Sequence, residues 1–217
     1  MVGKYNMREI YLISHTPNDE VKHLKVCEIE FLKFSIDLKD FDALVVTSKH
    51  SIKALKFNNI KFENIKVFSI GDGTTNEAKA FGFTDIYTAK NHHGNEFARE
   101  ILSLLPNKKV LFLRAKEVVS NVDGILLDNE VDLTSIVAYR NKFIKLSADK
   151  IPPKNSILIF TSPSNVKGFL RNFEIDESYS IVSIGKATTN ELLEYKNVIT
   201  SSFQDVKKCI EIAQNLK

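Results

Sequence analysis

The chain has only two cysteines in 217 residues, Cys27 and Cys209, with no Cys-x-x-Cys spacing and no histidine cluster beside either. That excludes a disulfide framework and a cysteine-ligated metal, and it fits a reducing compartment. No run approaches the roughly 18 apolar residues a membrane span needs, and residues 1–8 lack the apolar stretch of a secretory signal, so a cytoplasmic protein is expected. Charge of one sign is also scarce: 30 Lys and Arg against 27 Asp and Glu leave a net +3. Nucleic-acid binding calls for a concentrated basic stripe with interleaved aromatics, and none is present. Neither Gly-x-Gly-x-x-Gly nor Gly-x-x-x-x-Gly-Lys-[Ser/Thr] occurs, since Gly71-Asp72-Gly73 lacks the rest of either nucleotide signature. His92-His93 is a poor metal pair, because adjacent residues point apart and no third ligand is evident.

What the sequence does contain is a copy of itself. Ser69-Ile70-Gly71-Asp72-Gly73-Thr74-Thr75-Asn76-Glu77 returns as Ser183-Ile184-Gly185-Lys186-Ala187-Thr188-Thr189-Asn190-Glu191, and Val46-Thr47-Ser48 returns as Phe160-Thr161-Ser162. Each copy reads strand, helix, strand, helix, the pattern of a parallel sheet with covered faces. Both motifs fall at the carboxyl ends of strands, where such sheets bind ligands.

In chain order, strands are expected at residues 9–14, 42–47, 67–70, 86–88, 110–114, 157–161 and 197–200, with an extended segment at 27–36 and another within 126–145. Helices are expected at 49–55, 74–81 (ended by Gly82), 95–105 and 202–216, the last capped by Ser202. The second copy lacks enough chain for a full sheet, so residues 9–14 are expected to fold back and join it. The expected domains are residues 1–27 with 145–217, an inserted lobe at 37–133, and paired connectors at 28–36 and 134–144, with a cleft between the lobes.

The succession Thr47-Ser48, Ile70-Gly71-x-x-Thr74, Leu111-Phe112-Leu113-Arg114, Val137-Ala138-Tyr139-Arg140, Phe160-Thr161-Ser162-Pro163-Ser164-Asn165-Val166 and Ile184-Gly185-Lys186-Ala187-Thr188 resembles the uroporphyrinogen-III synthase family over nearly the whole chain. The resemblance implies an α/β, HemD-like fold: two flavodoxin-like parallel-sheet lobes joined by a two-stranded connector. It implies a cyclising hydro-lyase that removes water from hydroxymethylbilane, a linear tetrapyrrole, and closes the ring with inversion of ring D. Heme biosynthesis is the setting, without metal or organic cofactor. A monomer is expected, with transient contact to hydroxymethylbilane synthase as a conceivable partnership and no nucleic-acid or membrane partner.

For a substrate of that class, the strand ends and helix starts of this chain give the expected site residues. Thr74 and Thr188 take the catalytic positions, orienting the substrate or assisting departure of the hydroxyl. Thr47, Ser48, Lys49, Gly71, Arg114, Tyr139, Ser162, Ser164, Asn165, Gly185 and Lys186 take substrate-binding positions. Helix amino termini offer free N–H groups and a positive dipole end to acetate and propionate arms, so a polyanion can be held without large net charge. Two departures stand out: Gly185-Lys186-Ala187-Thr188 replaces the family's Gly-Pro-Thr-Thr, and Gly168 stands where some members carry a tyrosine.

Structural roles compete for the same residues. Thr74-x-x-Glu77 and Thr188-x-x-Glu191 also read as capping boxes, Gly71 and Gly185 as turn residues with positive φ or close packing, Lys49, Lys167 and Lys186 as solvated charges, and Tyr139 as a half-buried strand aromatic. The rival class is a non-enzymatic two-lobe binding protein or sensor for a small anion.

Overall fold

A computed structural model describes residues 8–91, 93–118 and 120–217; residues 1–7, and His92 of the His92-His93 pair, lie outside the described residues. The chain divides into two compact units, one formed by Met1–Glu28 with Lys142–Lys217 and the other by Ile29–Asn141. The strands are β1 (Ile10–Ile13), β2 (Lys22–Leu24), β3 (Cys27–Phe31), β4 (Ala43–Val46), β5 (Lys66–Ser69), β6 (Ile86–Thr88), β7 (Lys109–Ala115), β8 (Asp132–Phe143), β9 (Ile157–Phe160), β10 (Ser180–Ser183) and β11 (Val198–Thr200). The helices are α1 (Lys49–Phe57), α2 (Asp72–Phe81), α3 (Gly94–Ile101), α4 (Val122–Asp128), α5 (Pro163–Leu170), α6 (Lys186–Thr189) and α7 (Val206–Gln214). None of the described helices is long and apolar enough to cross a membrane.

The continuous unit carries a sheet ordered β3-β8-β7-β4-β5-β6, parallel in every pair from β8 to β6. All four residues of β4 are buried, as expected of a strand covered on both faces. Leu44 and Val46 face one core with Ile52, Ala54 and Leu55 of α1 and Ala78 of α2. Ala43 and Val45 face the other, with Phe97, Ala98 and Ile101 of α3 and Val122 and Leu126 of α4. This alternation follows directly from the two-residue period of a strand.

The discontinuous unit repeats the plan with an all-parallel sheet ordered β11-β10-β9-β1-β2. Residues 9–14 do fold back: β1 pairs with β9 from Ile10↔Ile157 to Ile13↔Phe160. Leu158 and Phe160 pack on Val166 and Phe169 of α5, while Ile157 and Ile159 pack on Cys209, Ile210 and Ala213 of α7.

Several elements differ from the sequence expectation. Residues 22–24 form β2, although the segment is polar; Lys22 is exposed and only Leu24 is buried, as befits an edge strand. Residues 126–128 belong to α4, and the extended segment starts only at Asp132. α7 begins at Val206 because Asp205, not Ser202, caps it by accepting a hydrogen bond from Lys208 N–H. Gly82 ends α2 as expected, at φ 123°, a conformation that disfavours side chains.

Candidate active site

In both units the strand order reverses beside the central strand: between β4 and β7 in one, between β9 and β1 in the other. Loops at the carboxyl ends of strands flanking such a switch point make the binding crevice of open α/β sheets. Thr47 and Ser48 follow β4, Arg114 lies near the end of β7, and Thr161 and Ser162 follow β9.

The helix starts in each unit are of two kinds. α1 and α5 are capped by their own serines: Ser48 Oγ accepts from His50 N–H at 3.2 Å and Ser162 Oγ from Asn165 N–H at 3.3 Å. α2 and α6 start instead from glycines, Gly71 and Gly185, with no side-chain cap. Gly71 O accepts from both Thr74 and Thr75 N–H at 3.0 Å, and Gly185 O from both Thr188 and Thr189 N–H at 3.0 Å. The first-turn N–H groups before them have no intrahelical acceptor by the geometry of a helix start. They are the donors left open to an anion.

These starts correct the capping-box reading. The helices begin at Asp72 and Lys186, two residues before the threonines, so neither threonine is an N-cap. Glu77 instead pairs with Lys53 of α1 at 3.7 Å, and Glu191 pairs with Lys167 of α5 at 2.9 Å. Gly71 and Gly185 are extended, at φ 174° and 172°, so positive φ is not what glycine supplies there.

Released from capping, the Thr74 and Thr188 side chains are 6% and 2% exposed, and their hydroxyls have no hydrogen-bond partner among the described residues. The following threonines behave differently. Thr75 Oγ1 lies 2.5 Å from Ser69 Oγ and 2.7 Å from Thr88 Oγ1; Thr189 Oγ1 lies 2.6 Å from Ser183 Oγ and 2.7 Å from Thr200 Oγ1. Sequence reasoning passed over these two chains of hydroxyls, although the doubled Thr-Thr was their signal.

Tyr139 is buried rather than half-buried, and the reason is a bulge. β8 pairs Val137 with Arg114 but Tyr139 with Ala115, so Ala138 is an extra residue and both Ala138 and Tyr139 turn inward. Burial raises the Tyr139 phenol above its ordinary pKa, while hydrogen bonding with the Ser48 and Ser51 hydroxyls opposes the rise. The phenol therefore stays neutral at physiological pH, near the serine at the head of α1.

Other expected ligands are engaged internally. Arg114 Nε lies 3.1 Å from Asp123 Oδ2 and donates to Ser135 Oγ at 3.1 Å, so the guanidinium already has a carboxylate partner. Asn165 is fully buried; its Oδ1 accepts from the Cys27 thiol at 3.1 Å and its Nδ2 donates to Thr161 Oγ1 at 2.9 Å. Its side chain ties the core together. Lys49 and Lys186 are exposed beside the helix starts, and Ser164 lies half-buried in the first turn of α5.

Gly168 has a packing reason: a Cβ there would stand 2.8 Å from Val26 Cγ2 and 3.0 Å from Val26 O. No side chain, and so no tyrosine, fits that position on this backbone. Among the described residues no group of three or more His, Cys, Asp or Glu is placed to hold a metal ion.

Residues 20–211 match the family model for uroporphyrinogen-III synthase HemD. Among curated proteins none matches. Among solved structures, uroporphyrinogen-III synthetase from Helicobacter pylori 26695 superposes with TM-score 0.82 at 31% identity, covering 97% of this chain and 100% of that one. A mutant uroporphyrinogen III synthase from the extremely thermophilic bacterium Thermus thermophilus gives TM-score 0.59 at 10% identity over 97% and 100% of the two chains, a likeness of fold alone. With nearly the full length matched by the family model and by a structure of the same architecture, the chain belongs to the uroporphyrinogen-III synthase family.

Proposed function

We propose that the protein converts hydroxymethylbilane to uroporphyrinogen III, as a cyclising hydro-lyase acting as a cytoplasmic monomer without metal or organic cofactor. The family match over residues 20–211 carries this reading. The geometry supports it with two uncapped glycine-started helices, each bearing a buried threonine whose hydroxyl has no partner among the described residues.

Protonation of the terminal hydroxyl and its departure as water leave a delocalised azafulvenium cation, which is reactive without further activation, and ring closure returns the proton. Attack by the substituted carbon of ring D gives a spiro intermediate that fragments and recloses with ring D inverted. In solution the chain closes without inversion. The protein's task is therefore to favour one closure over another by orientation, and each tenfold preference corresponds to about 1.4 kcal/mol between the two barriers.

In this reading the Thr74 and Thr188 hydroxyls orient the substrate, one of them donating to the departing hydroxyl, and open first-turn N–H groups receive carboxylate arms. Ser48 with Tyr139 and Ser162 with Ser164 add hydroxyls at the heads of α1 and α5, and Thr47, Lys49 and Lys186 add further donors. The test generates hydroxymethylbilane in place, adds the protein, and separates the oxidised uroporphyrin isomers by chromatography. Predominant isomer III is expected. Isomer I alone, at the rate seen without protein, would overturn the synthase reading in favour of a non-enzymatic anion-binding protein.

A further inference from the structure

The two units differ at the two exposed positions that follow their starting glycines; Asp72-Gly73 in one is Lys186-Ala187 in the other, so the charge there is not shared. What they share internally is a chain of three hydroxyls. In one unit it links Ser69 at the end of β5, Thr75 in α2 and Thr88 at the end of β6. In the other it links Ser183 at the end of β10, Thr189 in α6 and Thr200 at the end of β11. Ser69 and Ser183 are fully buried, and Thr75 is 7% exposed.

Each chain bolts the first helical turn to two adjacent strands at once. A hydroxyl held between two others fixes both the rotation of the helix about its axis and its height above the sheet. The residue immediately before it, Thr74 or Thr188, then carries a hydroxyl whose place is set by that anchor and not by any bond of its own.

We infer that Thr75 and Thr189 are positioning residues for the ring closure, acting through their hydroxyl chains to hold the Thr74 and Thr188 hydroxyls in place. This rests on the synthase reading above. The anchor threonines touch no substrate; they restrict the first turn so that orientation is not spent on settling it during the reaction.

The test compares Thr75→Val and Thr189→Val, which keep the branched shape and delete the hydroxyl, with Thr75→Ser, which restores it. Enzyme is kept in excess over hydroxymethylbilane, so that closure occurs on the protein and not in competition with solution. Thr75→Val is expected to slow isomer III formation about tenfold and to release isomer I within a single turnover, while Thr75→Ser returns to within about twofold of the parent. Amide hydrogen exchange at residues 74–76 is expected to quicken about tenfold in Thr75→Val with α1 unchanged.

A folded Thr75→Val that makes isomer III at the parental rate would overturn the inference, as would a Thr75→Ser no better than valine. Should Thr75→Val not fold, Thr88→Val, which removes only the outer link, carries the same test. A parent that yields no isomer III sinks the synthase reading instead, and the exchange measurement still decides whether the threonine anchors the turn.

Discussion

At Cys27 the side chain is fully buried and its thiol donates to Asn165, and burial pushes its pKa up from the ordinary 9.0 to about 11. The folded state therefore holds the thiol proton more tightly than the unfolded chain. Stability from this group is fully present below about pH 9 and is lost as pH rises toward 11, by roughly 2 to 3 kcal/mol across that window. Other groups titrate there, so the measurement is a difference: urea unfolding of the parent and of Cys27→Ala at several pH values from about 8 to 11. The gap between the two is expected to narrow as pH rises, and a gap independent of pH would refute the shift. Cysteine count alone made a structural role legible for Cys27. Its partner was not legible, because Asn165 stands in the middle of the Thr-Ser-Pro-Ser-Asn word that also carries the site. Only burial separates Ser162, which caps, from Asn165, which ties the core.

At the scale of elements, the duplication carries its own cross-braces. Asn58, at the end of α1, donates to Leu32 O at 3.0 Å and Ala54 O at 2.9 Å and accepts from Phe34 N–H at 3.3 Å. Asn172, at the end of α5, donates to Ile144 O at 2.8 Å and Gly168 O at 2.9 Å and accepts from Leu146 N–H at 2.8 Å. Each amide closes its helix and stitches it to the segment leaving β3 or β8. Three bonds at about 1 kcal/mol each put the cost of Asn58→Ala or Asn172→Ala at roughly 2 to 3 kcal/mol, alike in the two units. Denaturant midpoints of the two variants check this; a change under about 0.5 kcal/mol in either would show that water replaces the amide there. Apolar runs and turn residues made most of the strands and helices legible in the sequence, and Gly82 marked its helix end. The bulge at Ala138 was not legible, since Val137-Ala138-Tyr139-Arg140 alternates cleanly on paper and only the pairing with β7 reveals the extra residue. Nor were the helix starts: Thr-x-x-Glu imitates a capping box, while the two glutamates are drawn off to lysines on the preceding helices.

The whole molecule is a duplication in which one copy has been threaded in a different order. In the continuous unit the chain lays down β4, β5 and β6 before β7 joins the other side of β4. In the discontinuous unit the strand that joins the other side of β9 is β1, made at the opposite end of the chain. The repeat exposed this order in the sequence, because the second copy was short of strands and residues 9–14 had no partner of their own. Physically the order should matter little, since Arg8 and Leu216 meet: Arg8 Nη1 donates to Leu216 O at 3.1 Å, and Arg8 Nη2 to Ser180 Oγ at 2.9 Å. A chain beginning at Ala148, running to Lys217, continuing through a linker of about four Gly and Ser residues to Arg8 and ending at Ser147 would synthesise the unit in the order β9, β10, β11, β1, β2. The break falls between exposed residues, Ser147 and Ala148, and cuts no strand. Such a permuted chain is expected to unfold cooperatively, within about 10 °C of the parent, and to retain formation of isomer III. Thermal melts followed by circular dichroism and the coupled isomer assay decide it. Loss of the cooperative transition would mean that β1 must be made first for β9 to find it, and that chain order, as well as the pairing seen in the folded state, is part of what this sequence specifies.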